Sequence, residues 1–184
     1  MVSLAALWMP ILLSAVLVFV ASSIIHMVLG YHASDLRTFP SEDAVLAALR
    51  PFDLAPGDYA APRPQSTAEA GSPEFKARLD RGPRVLLTVM SRSTSMGRSL
   101  ALWFLYLLVV SLFAGYVASV ALGPDAPYLE VFRVTSTVAF AGYVLALWQG
   151  VVWYSRDIGY TLKSTIDGLV YALLTGGVFG WLWP

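Results

Sequence analysis

The chain has 184 residues, of which 57% are hydrophobic and 13% charged, with a formal net charge of zero and no cysteine. Ordinary soluble domains carry about 25% charged residues, so a large water-soluble core is excluded, and zero net charge gives nucleic acid no electrostatic footprint. The lack of cysteine excludes disulfides, thiolate metal sites, c-type haem attachment and the usual iron–sulfur ligation.

The first predicted element is an apolar stretch over residues 4–29 with no Asp, Glu, Lys or Arg. A helix rises about 1.5 Å per residue, so some 20 apolar residues cover the hydrocarbon core of about 30 Å. A cleaved signal peptide is the competing reading. It should open with a basic n-region, but no basic residue precedes Arg37, and the run exceeds a usual signal core. Pro10 falls near the start of the helix, where a missing N–H costs least. Ser22 precedes His26 by four residues and opens space above an imidazole, which makes His26 a candidate cofactor-binding residue for a tetrapyrrole. His26 and His32, with Asp35 following, offer imidazole and carboxylate donors, but the two histidines do not share a helix face, and three donors leave a metal short of ligands. No metal site is expected, and the bland role of both histidines is interfacial hydrogen bonding.

Residues 30–98 carry seven of the 11 prolines and nine of the 12 basic residues: Arg37, Arg50, Arg63, Lys76, Arg78, Arg81, Arg84, Arg92 and Arg98. Pro40-Ser41-Glu42-Asp43 predicts the start of a short helix, with Ser41 as cap and Val45, Leu46 and Leu49 on one face until Pro51 ends it. Residues 53–73, with Pro56-Gly57 and Pro62-Arg63-Pro64, predict an irregular linker. A further helical turn or two follows from Pro73 and stops at Gly82-Pro83. Residues 85–90, Val-Leu-Leu-Thr-Val-Met, are either a strand or a headgroup-level segment, because six residues are too few for periodicity to decide.

Three more apolar stretches complete the chain, over residues 99–122, 134–154 and 164–183, and the only ionisable group in them is Asp167. The predicted fold is therefore an all-α membrane protein: one transmembrane helix over residues 1–29, a Pro-rich cytoplasmic connection over 30–98, and transmembrane helices 2–4 over 99–184. Arg156 and Lys163 lie between the third and fourth stretches, and only Arg133 lies between the second and third. Basic connections stay in the cytoplasm, so both termini are expected outside and residues 30–98 inside. Trp8, Tyr128, Trp181 and Trp183 fit the outer interface, and Trp103, Trp153, Tyr154 and Tyr160 the inner one. A bacterial inner membrane is the expected location.

Small residues recur every fourth position on three helices: Ser111, Gly115 and Ser119 on the second, Gly142, Ala146 and Gly150 on the third, and Gly168, Ala172, Gly176 and Gly180 on the fourth. Such steps let backbones approach closely, within one chain or between subunits. Asp167 is expected near the cytoplasmic end of its helix as an interfacial ion pair with Lys163 or Arg156; a proton or ion path is the rival role. No nucleophile–His–acid grouping, phosphate-cradling loop or paired catalytic carboxylate is legible, so no catalytic residue is assigned.

Several strings together resemble a family of small bacterial four-helix integral membrane proteins: Ser22-Ser23-Ile24-Ile25-His26-Met27-Val28-Leu29, Tyr31-His32-Ala33-Ser34-Asp35, Pro40-Ser41-Glu42-Asp43, and Leu162-Lys163-Ser164-Thr165-Ile166-Asp167-Gly168-Leu169 leading to Phe179-Gly180-Trp181-Leu182-Trp183-Pro184. The resemblance implies four membrane helices and carries no activity, cofactor or catalytic residue. The expected function is that of a non-catalytic accessory or stabilising subunit of a larger membrane complex, respiratory or photosynthetic, whose partners are lipids and other membrane subunits or a second copy. The alternatives are a small transporter or channel using Asp167, and a haem-, pigment- or metal-binding membrane protein using His26 or His32.

Overall fold

The computed structural model describes residues 2–91 and 95–184, so Arg92 lies outside the described residues. The chain divides into a helical unit, built from the segment up to Arg37 and from Met96–Pro184, and a smaller unit over Thr38–Ser95.

The helical unit contains α1 (Trp8–Ile24), α5 (Met96–Ala121), α6 (Tyr128–Val144), α7 (Trp148–Tyr154) and α8 (Ile158–Trp181). Among the described residues, three stretches are long and apolar enough to cross a membrane: Leu4–Leu29, Met96–Ala121 and Tyr128–Tyr154. α8 is not among them, because Lys163, Asp167, three threonines and five glycines dilute its apolar residues. Sequential neighbours pack together, α1 on α5, α5 on α6 and α6 on α8, and α8 returns to α1, with the α6–α8 interface the most extensive. The core between them holds Ala15, Val18, Leu107, Val110, Ala139, Val144 and Ala172, with Tyr143 and Tyr171 edge to face at 5.6 Å. At the other end Leu7, Val131 and Phe179 form a second cluster, and the C-terminus is tied to the α5–α6 loop by Asp125 N donating to Pro184 O at 2.9 Å.

The small-residue steps lie largely inside this bundle. A Cβ added at Gly176 would stand 2.8 Å from Ser136 Cβ and 3.0 Å from the Phe132 carbonyl, and one at Gly180 would stand 2.7 Å from the Tyr128 ring. Gly168 meets Val144, Gly142 meets Val110 and Gly115 meets Phe179. Gly176 and Gly180 let α8 approach the backbone of α6, while Gly168, Gly142 and Gly115 make room for side chains of α6, α5 and α8. Ser111, Ser119 and Ala172 are buried; Ala146 lies at an irregular turn, and Gly150 faces the Arg156 side chain.

Two helices depart from regular geometry for local reasons. In α1, Ser22 Oγ and Ser23 Oγ both donate to Phe19 O, at 2.9 and 2.8 Å, which loosens the ladder one turn before it widens into a π turn over Ile25–Leu29. Gly30 then takes φ 65°, a left-handed conformation that glycine adopts without cost, and the chain turns sharply there. In α6, Tyr106 Oη donates to Gly142 O at 2.8 Å, where a side chain reaches into the helix ladder, and a tighter turn over Leu145–Leu147 separates α6 from α7.

The smaller unit contains α2 (Glu42–Leu49), β1 (Gly57–Ala61), α3 (Thr67–Ala70), α4 (Pro73–Arg81) and β2 (Val85–Val89). β1 and β2 are antiparallel, with Gly57 opposite Val89 and Ala61 opposite Val85, and Thr88 Oγ1 donates to Asp58 Oδ1 at 2.7 Å. The stretch predicted to be an irregular linker therefore supplies a strand. The partner that orders it, residues 85–89, lies far along the chain and cannot be seen from local composition. α4 begins where Ser72 Oγ accepts from Phe75 N and stops at Gly82.

Candidate functional site

The polar groups of the helical unit converge where the end of α1 meets α8. On α8, Lys163 and Asp167 are four residues apart and share a face. Facing them, the π turn carries His26, and a 3₁₀ turn over Tyr31–Ser34 carries Tyr31 and His32. Gly30 joins the two turns, so His26, Tyr31 and His32 gather on one side. The rings of His26 and His32 lie 4.4 Å apart, tilted by 34°, and those of Tyr31 and His32 lie 4.3 Å apart.

The pairing is crossed. Asp167, 3% exposed, accepts the Tyr31 hydroxyl on Oδ1, and its Oδ2 lies 2.8 Å from His32 Nε2. The other nitrogen of His32, Nδ1, lies 2.5 Å from Asp35 Oδ2. Lys163 Nζ donates to Asp35 Oδ1 at 2.7 Å, to Ser34 Oγ at 2.9 Å and to Tyr31 O at 2.7 Å. His26 Nε2 stands 4.0 Å from Asp167 Oδ2, on a side chain that is about half exposed.

His32 stands between two carboxyl groups, one at each ring nitrogen. The Lys163 ammonium and, next, His32 hold the Asp35 carboxyl below its ordinary value.

The predicted site residues are distributed as follows. Asp167 and Lys163 both belong to the cluster, but Asp167 is engaged by Tyr31 and His32 while Lys163 reaches across to Asp35; Arg156 lies over Gly150. The depth of Asp167 also differs from expectation. Asp157 Oδ1 accepts from Tyr160 N at 3.0 Å and starts α8 at Ile158, nine residues before Asp167, which puts the carboxylate about 14 Å along the helix. Ser22, four residues before His26, is buried, and its Oγ accepts from Trp103 Nε1 at 3.0 Å. Tyr31 was not a sequence candidate, and its only signal was adjacency to His32.

One nitrogen of each histidine and one Asp167 oxygen lie within 4.8 Å of one another, a donor set able to hold a metal ion. Beside them Ser34, Asp35, Arg37, Asp157, Gly159, Tyr160 and Lys163 line a polar cavity of about 400 Å³. Compared with family models, with curated proteins and with solved structures, the chain returns no match.

Proposed function

We propose that the chain is a four-span integral membrane protein of the bacterial inner membrane, with both termini outside and residues 30–98 in the cytoplasm. We propose further that it is non-catalytic and works as a binding protein through the polar centre of His26, Tyr31, His32, Asp35, Lys163 and Asp167. The observation that carries this reading is the burial of Asp167 among partners supplied by the end of α1. An ionisable residue inside a membrane bundle is costly and is retained where it serves a site.

α8 supports its own role as the fourth span by length and by layout. Its 24 residues extend about 36 Å, more than the hydrocarbon core. Its polar Thr161, Asp167 and Thr175 are buried within the bundle, while Leu162, Ile166, Leu169, Val170 and Leu173 face outward. This inside-out distribution suits a helix whose surroundings are lipid.

The glycine faces, which would argue for a second subunit if left open, are filled from within the chain. The accessory-subunit reading therefore loses that support, and the binding centre becomes the stronger basis for function. Transport is disfavoured because the Gly142 carbonyl, beside the interruption in α6, accepts from Tyr106 rather than being left to line an ion path. Proteoliposomes test the distinction. Wild type and Asp167→Asn should show the same proton and cation permeability; a flux present in wild type and lost in the variant would replace this reading with a transporter.

A further inference from the structure

We propose that His26, His32 and Asp167 bind one divalent first-row transition-metal cation, with Asp35 and Tyr31 orienting the ligands. This inference deepens the reading of the cluster as a binding centre and rests on it. Two observations carry it: the convergence of the donor atoms and the groups behind them.

The donors come from two separate elements, His26 and His32 from successive turns at the end of α1 and Asp167 from α8. His32 Nε2 is 2.8 Å and His26 Nε2 4.0 Å from Asp167 Oδ2. Ligands at about 2.0–2.1 Å in a tetrahedral shell stand about 3.4 Å apart, so one separation must open and the other close by roughly 0.6 Å. Side-chain rotation alone can accomplish that. The two imidazoles already lie nearly side by side.

Behind the donors stands the arrangement that metal-ligating residues require. A ligating histidine is fixed when its other nitrogen meets a carboxylate, and His32 Nδ1 meets Asp35, which Lys163 and its neighbours hold in turn. The second oxygen of Asp167 is held by Tyr31. Each of these partners engages the outer atom of its ligand and leaves the inward-facing donor atom to the cation.

Metal binding requires neutral imidazole and ionised carboxylate, so it releases any proton these donors hold. Two nitrogens and one oxygen suit zinc, cobalt, nickel or ferrous iron, whereas magnesium and calcium favour an all-oxygen shell. Three protein ligands leave a coordination position open, and the half-exposed His26 marks the side from which a cation can approach.

The test uses the whole chain in mild detergent, stripped by a chelator and titrated with Co²⁺, whose visible absorption reports its ligands, followed by displacement with Zn²⁺. We expect one Co²⁺ per chain, displaced by Zn²⁺. His26→Gln, at a half-exposed position that the fold tolerates, should weaken binding at least tenfold. Asp35→Asn, which does not touch the cation, should weaken it about 10–100-fold. Absence of stoichiometric Co²⁺ and Zn²⁺ binding in wild type, or unchanged affinity in His26→Gln, overturns the metal site; the flux measurement in proteoliposomes is independent of either outcome.

Discussion

Tyr31→Phe removes one hydroxyl and leaves Oδ1 of a buried carboxylate without its donor. Hydrogen bonds to charged groups contribute about 1.5–3 kcal/mol in water-soluble proteins, whereas side-chain bonds between membrane helices average about 0.6 and reach about 1.7 kcal/mol. Asp167 is 3% exposed and keeps only His32 as a close partner once the phenol is gone. These limits place the Tyr31–Asp167 coupling at about 1–2 kcal/mol. A double-mutant cycle with Asp167→Ala, which removes the acceptor, isolates that pairwise energy from other consequences of each change. For a chain of this length 1 kcal/mol corresponds to about 2–4 °C, so Tyr31→Phe should lower the unfolding midpoint in detergent by about 2–8 °C. The effect should largely vanish in the Asp167→Ala background. Equal destabilisation by Tyr31→Phe with and without Asp167 would refute the contact between the two turns and α8.

Two further outcomes follow from the packing and the charges. Gly176→Ala forces a Cβ against Ser136 and the Phe132 carbonyl and should cost about 1–3 kcal/mol, whereas Gly177→Ala, whose new Cβ would lie 3.8 Å from Tyr128 Oη, should be neutral or slightly stabilising; thermal unfolding of the pair reads the difference. Asp35 has its carboxyl held below the ordinary 3.8 by Lys163 and His32, so its contribution to stability is present above that value and is lost as pH falls through the lower folded-state value. Acid unfolding measured in the presence of chelator should therefore be shallower in Asp35→Asn than in wild type.

The long apolar helices were legible because composition and length suffice: residues 4–29 and 99–122 coincide closely with the observed Leu4–Leu29 and Met96–Ala121. The third stretch begins earlier than residue 134, at Tyr128, because Glu130 and Arg133 are tolerated at the helix end despite their charge. α8 likewise begins at Ile158, since its start is set by the Asp157 cap rather than by apolar content. That displacement matters for the site, because it moves Asp167 from the helix end toward the interior. The strand pair could not be read locally, as the order of residues 57–61 depends on residues 85–89.

The chemistry was half legible. Each ingredient was visible, His26, His32, Asp35, Lys163 and Asp167, but six-residue spacing on a regular helix sets the histidines apart. The π turn and Gly30 bring them together, and neither the turn nor its closure is encoded in a periodicity. The pairing is likewise tertiary: Lys163 and Asp167 look like a local ion pair in sequence, yet each finds its partner on the opposite segment.

The claim on which the account depends is that α8 crosses the membrane and carries Asp167 within it. The chain has no cysteine, so single cysteines at Ala68, Pro124 and Pro184, all exposed, can be labelled without background. In intact cells, a membrane-impermeant thiol reagent should modify Pro124→Cys and Pro184→Cys, and should reach Ala68→Cys only after permeabilisation. Labelling of Pro184→Cys together with Ala68→Cys, on the side opposite Pro124→Cys, would mean that α8 does not cross and would contradict the account.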